Sequence, residues 1–202
     1  MIVRSVGRRS RAVRAAAWLA LAFGLAACAG GQAPPTFDLS APQAYDRARG
    51  SPRGQLVVAE PTALSILNTD RIVVRTHGEI AHLPRAQWSD RLPRLVQSRI
   101  VEAFESGSRL RAVGTPGDKL AADYQLVTDV RAFNVSINSE PVAEVEISAK
   151  VVSDRGGRVL ASKVFRASVP AASAQGADAV VALDEAFRQV ISEMVAWASR
   201  VV

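Results

Sequence analysis

The chain has 202 residues, with 25 Lys and Arg against 19 Asp and Glu, a formal charge of +6 and a single cysteine. One cysteine excludes a framework of internal disulfides, so stability has to come from packing. The basic excess would suit nucleic acid or an anionic surface, but no Lys/Arg cluster with interleaved aromatics occurs outside the first few residues, which excludes the footprint of a nucleic-acid binder.

The excess sits at the N-terminus. Arg4, Arg8, Arg9, Arg11 and Arg14 precede an apolar run over 15–27, and removing these five leaves 20 basic residues against 19 acidic. A charged head followed by a short apolar stretch is the layout of a secretory signal, and the stretch is shorter than the roughly 20 residues a spanning helix needs. The run ends in Leu25-Ala26-Ala27-Cys28, which closely resembles the signal of bacterial lipoproteins. That resemblance implies cleavage after Ala27, a diacylglyceryl group on the Cys28 sulfur and an acyl chain such as palmitate on the new amino terminus. Ala29 in place of Asp implies, by the same analogy, sorting to the outer membrane of a Gram-negative cell. Three organisational segments are expected: a signal peptide at 1–27, a lipidated tether and N-terminal loop at 28–54, and a folded domain at 55–202.

Residues 29–35 (AGGQAPP) read as a spacer, 36–39 as a short strand, and 41–54 as loop. The β-branched runs at 55–61 and 71–76 predict strands, and 79–83 is expected to pair back after a turn at His77-Gly78. From Trp88 the apolar spacing changes to three- and four-residue steps through Leu92, Leu95, Val96, Ile100 and Phe104. This predicts a helix starting near Ser89-Asp90, with Pro93 in its first turn and Gly107 at its stop. A short strand follows at 110–113 and a turn at Pro116-Gly117.

The chain then turns two-periodic. Tyr124, Leu126 and Val130 share one parity and Phe133, Val135 and Ile137 the other, which predicts a strand with a bulge near Ala132. Alternation over 145–151, a turn at 154–157 and a strand over 158–169 complete an antiparallel meander. Leu183, Phe187, Val190, Ile191, Met194 and Trp197 mark a final helix, with Asp178 as its expected cap. The pattern predicts an α+β single domain: a mostly antiparallel sheet with two main helices packed on one face.

Residues for chemistry are sparse. His77 and His82 are the two histidines, too few for a zinc site without help from scattered carboxylates. Nucleotide, P-loop and nucleophile-elbow motifs do not occur, and Glu144 and Glu146 share one strand face rather than opposing each other across a cleft. The expectation is a chain that is not an enzyme and carries no cofactor.

Several stretches taken in order resemble the ABC-type transport auxiliary lipoprotein family, the family of the paraquat-inducible lipoproteins. They are the lipoprotein cysteine, Phe37-Asp38-Leu39 before Pro42, VVAEP at 57–61, NTDRIVVR at 68–75, WSDRLPRLVQSRIVEAF at 88–104, ADYQLVTDVRAF at 122–133, GRVLASKVF at 157–165 and EMVAW at 193–197. The resemblance implies an outer-membrane lipoprotein facing the periplasm that works with an ABC permease and ATPase and with an MCE (mammalian cell entry) protein in lipid transport between membranes. It implies docking, as a homo-oligomer in the paraquat-inducible branch, and no catalytic residue. Asp70, Arg71 and Trp88 are the residues expected to form the contact surface or to hold it. The alternative is a lipoprotein activator of another envelope machine, such as a cell-wall synthase.

Overall fold

The computed structural model describes residues 33–42 and 53–202, so the expected signal segment, Cys28, most of the spacer and the loop at 43–52 lie outside the described residues. The folded unit runs from Pro34 to Val202. Among the described residues it is α+β, with a mixed sheet of nine strands and two helices.

The spine of the sheet is β7 (Tyr124–Ile137). Along one edge it pairs antiparallel with β8 (Pro141–Ser153), from Tyr124 opposite Ser153 to Ile137 opposite Pro141, and β8 pairs antiparallel with β9 (Arg158–Pro170). Three strands share the other edge, all parallel to β7: β2 (Arg53–Val58), β3 (Thr62–Ala63) and β4 (Arg71–Thr76). Beyond them the sheet divides. A parallel β6 (Leu110–Gly114) lies beside β2, while β5 (Glu79–Trp88) runs antiparallel to β4 and carries β1 (Thr36–Phe37) parallel on its far side. The meander of β7, β8 and β9 is the antiparallel part that the alternation predicted. The parallel pairings are additional, since alternation reports which face is buried and not which way a neighbour runs.

The register of β7 slips between Val130 and Ala132, so Leu126, Thr128 and Val130 are buried before the bulge and Phe133 and Val135 after it. One extra residue returns the apolar side chains to the core face, which a continuous strand of this sequence would turn outward. Helix α1 (Leu92–Gly107) packs against β2 and β6, helix α2 (Gly176–Ala198) packs against β8 and β9, and the helices touch each other. Phe133 stands at the centre, 1% exposed, edge-on to Trp88 at 5.7 Å between ring centroids and tilted against Phe187 of α2 at 5.8 Å.

Four expectations are corrected. Strand β5 continues to Trp88 instead of ending near Leu83, because the stretch from Leu83 to Ala86 bulges. Between the Arg71–Gln87 and Val73–His82 pairs, one residue on β4, Ile72, faces four on β5, Leu83 to Ala86. Pro84 and Arg85 point out, with Arg85 at φ +55°, while Leu83 and Ala86 turn in. Trp88 is therefore a strand residue, and α1 begins at Leu92 with Pro93 in its first turn. In α2, Asp178 lies in the first turn behind Gln175, the residue at the N-cap position, and accepts a hydrogen bond from the Ser173 hydroxyl at 2.9 Å.

The fourth correction concerns the tether. Residues 36–41 belong to the folded body, which starts ahead of residue 55. Leu39 and Ala41 are buried, Asp38 pairs with Arg99 of α1 at 2.7 Å, and Ser40 donates to the Asp184 carboxylate of α2 from its N–H at 2.7 Å and from its hydroxyl. Burial works against the Arg99 charge, but its bonds to Asp38 and Glu102 outweigh that and hold its pKa above the ordinary value. The entering chain is thus clamped to β5 and to both helices.

After β6, Pro116–Asp118 forms a 3-10 turn in which the Asp118 carboxylate accepts the Thr115 N–H at 2.6 Å and its hydroxyl at 2.9 Å. Gly114 leaves room for this, since a Cβ there would stand 2.7 Å from Asp118 Oδ2. The Thr115 backbone bond, followed by the hydroxyl bond, holds the Asp118 carboxyl below the usual carboxylate range. A depressed folded value means that the contribution is complete above the ordinary carboxylate value and is lost as pH falls through the lower folded one. The protection factor of the Thr115 amide, followed by NMR, should therefore hold through the pH range where ordinary aspartates titrate and fall only below it. Loss of protection in step with ordinary aspartates would contradict this.

Candidate functional site

The residues singled out from sequence converge at one end of the sheet. Asp70 and Arg71 lead into β4, Trp88 closes β5, and the N-terminus of α1 follows at once. Backbone bonds fix the arrangement: Trp88 N–H donates to Asp70 O at 2.7 Å, Ser89 N–H to Phe37 O at 2.7 Å, and Leu92 N–H to Thr69 O at 3.0 Å. Arg71 faces Gln87 across the ladder. An open cleft of about 600 Å³ lies here, with Thr36, Asp70, Gln87 and Arg91 in its walls.

Two of the three candidates present themselves to solvent and one does not. Asp70 and Arg71 are exposed, and neither makes an ion pair among the described residues, although they adjoin in sequence. Among the described residues the Asp70 carboxylate accepts only the Thr69 hydroxyl, at 3.2 Å. Trp88 is 2% exposed and held edge-on by Phe133. It does not present its ring to a partner; it packs beneath the cleft and fixes the backbone that carries Asp70. A tryptophan at the end of a strand and one at the head of a helix give the same apolar spacing to Leu92, so the sequence did not separate the two placements.

Around the cleft the charges are mixed. Arg91 reaches Glu60 at 2.5 Å, and Arg94 stands 3.7 Å from Asp90. Arg75 and Arg85 on the same hairpin are exposed, as is His77 in its tip at φ +48°, while His82 is half-buried opposite Val73. Sequence reasoning did not single out Arg85; its position in the bulge shows only once the β4 to β5 register is known. Among the described residues no group of three His, Cys, Asp or Glu side chains is placed to hold a metal ion. A larger groove of about 860 Å³ opens at the start of β7, but its carboxylates are engaged: Asp123 with the Gln55 N–H at 3.1 Å, and Asp154 with the Gln125 side chain at 2.7 Å. No helix among the described residues is long and apolar enough to cross a membrane.

These features define a small α+β module whose open cleft is bordered by the exposed Asp70 with Arg71 beside it, both without ion pairs among the described residues, and whose entering chain is clamped to the body. The chain belongs to the ABC-type transport auxiliary lipoprotein component family, whose model matches residues 37–195. It is 34% identical over 177 residues to the protein bll6063 of Bradyrhizobium diazoefficiens, a match covering 86% of this chain and 48% of that one. The chain thus spans about half the length of that curated relative. Among solved structures it is similar to protein XCC0632 from Xanthomonas campestris, of the family DUF330, at TM-score 0.70 and 29% identity over 83% of this chain and 96% of that one. Protein CT253 of Chlamydia trachomatis shares the fold, at TM-score 0.50 and 11% identity over 74% of this chain and 97% of that chain.

Proposed function

We propose that the chain is a non-catalytic, lipid-anchored docking component of an intermembrane lipid transport system. Cys28 carries the lipid, the anchor lies in the outer membrane, and the folded body faces the periplasm as a homo-oligomer. There it meets an MCE-domain protein served by an ABC permease and ATPase. Family membership supports the transport setting. The observation that carries the docking role is Asp70, exposed in the wall of an open cleft whose floor is the buried Trp88, with the exposed Arg71 beside it opposite Gln87, neither charge having an ion-pair partner among the described residues. Unpaired charges on a rigid support give orientation and specificity to an encounter, and an arginine is among the residues that anchor interfaces.

Arg71→Glu tests this. The side chain is exposed, so folding should be unaffected and the melting temperature should stay close to that of the parent protein. Binding energy at an interface anchor falls by about 2 kcal/mol on truncation, more on charge reversal, so recovery of the transport partner should drop about tenfold or more. Cells carrying the variant should then show the detergent sensitivity of cells lacking the protein, whereas Arg158→Glu, an exposed charge on the far strand, should not. Full resistance with Arg71→Glu at normal protein level would remove the cleft from the docking surface.

A further inference from the structure

A second surface stands apart from that cleft. Between the end of β9 and the first turns of α2 runs an open groove of about 510 Å³. One wall is Val169, Pro170 and Ala171, and the other is Val180, Val181 and Ala182. Val180 and Ala182 are buried against the core, but Val181 is 68% exposed, the most exposed large apolar side chain among the described residues. The Ala171 N–H donates to Pro141 O of β8 at 2.9 Å, which holds this wall against the sheet.

The rim decides what the occupant is. Asp38, Asp178, Asp184 and Glu185 surround the groove, with Arg188 as the basic residue in its lining. Arg188 is shared between Asp184, at 3.6 Å, and Glu185, while Arg99 from behind takes Asp38. Among the described residues Asp178 has only the Ser173 hydroxyl. Four carboxylates against two guanidiniums leave this patch net negative on a chain that, beyond residue 27, has 20 basic residues against 19 acidic. An apolar slot with a negative rim is complementary to apolar side chains carried among Lys or Arg, and it disfavours the phosphate-bearing surface of a lipid bilayer.

We propose that this groove docks a basic polypeptide segment of a partner protein, seating one apolar side chain against Val181 and Ala171 and setting its cationic residues against Asp178 and Glu185. The assignment concerns this surface alone and does not depend on which envelope machine the chain serves.

The test uses the full acylated chain in nanodiscs of zwitterionic lipid, with empty nanodiscs as the baseline. Two labelled amphipathic peptides, one of Lys and Leu and the other with each Lys replaced by Glu, are titrated and followed by fluorescence anisotropy. The Lys/Leu peptide should bind saturably, about tenfold or more tighter than its Glu counterpart, and weaken as salt rises. Val181→Ser and Glu185→Gln should each weaken it about fivefold, while Val159→Ser, an exposed valine elsewhere on the sheet, should not. Equal binding of the two peptides, or binding indifferent to Val181→Ser and Glu185→Gln, would overturn the proposal. So would self-association of the chain that is lost with Val181→Ser, which would assign the groove to a second copy. None of these outcomes bears on the Asp70–Arg71 cleft, so either surface can fail alone.

Discussion

Phe133→Ala should destabilise the protein by about 4 kcal/mol, in the range of 3–5 found for removing a buried aromatic ring. The ring is 1% exposed and links three elements: Trp88 of β5 at 5.7 Å, Phe187 of α2 at 5.8 Å, and β7 itself. Its loss leaves a cavity that neither neighbour fills, because Trp88 is tied to Asp70 through the backbone and Phe187 is fixed in its helix. Chemical denaturation should show a lower midpoint with an unchanged slope, and a loss below about 1 kcal/mol would show that the cluster is not the centre of the core. The same substitution should loosen the floor of the cleft, so docking should weaken along with stability, whereas Arg71→Glu should weaken docking alone.

Cys28→Ser should abolish incorporation of labelled palmitate and remove the chain from the outer-membrane fraction. One acyl chain gives only marginal binding, at about 0.8 kcal/mol per buried methylene, while the three chains implied by a lipoprotein signal hold a protein essentially permanently. The effect is therefore all or none. Between Cys28 and the start of the folded unit at Pro34 lie few residues, and at about 3.5 Å each they reach only about 20 Å. A lipid on Cys28 would therefore hold the folded unit within that reach of the bilayer, and the clamps at Asp38 and Ser40 would pass any pull on the tether into both helices. Palmitate incorporation or outer-membrane recovery unchanged by Cys28→Ser would remove the lipid anchor from the account.

Much of this was legible in the sequence, for reasons that can be named. The meander of β7, β8 and β9 showed itself because each strand has one face on the core and one in water, so polarity alternates. The bulge at Arg131 showed because that alternation changes phase there. Helix α2 was visible as an apolar stripe from Leu183 to Trp197. The end of β5 was hidden, because Pro84 and Arg85 interrupt its alternation with a bulge that the β4 register alone reveals. The parallel pairings of β2, β3 and β4 were hidden because strand direction leaves no local mark. At the candidate site, Asp70 and Arg71 were singled out within the NTDRIVVR stretch that carries the family resemblance, but the burial of Trp88 depends on Phe133, which is distant in sequence. The groove beside Val181 had no sequence signature: its walls come from β9 and α2, and each valine alone reads as core.

The central claim is that the chain docks on a transporter, and the most direct measurement is crosslinking of the acylated protein in intact envelopes, followed by affinity purification and identification of what it brings. Recovery of an MCE-domain protein together with its ABC permease, reduced by Arg71→Glu, is the predicted result. Reproducible recovery of a cell-wall synthase with no transporter component would contradict it.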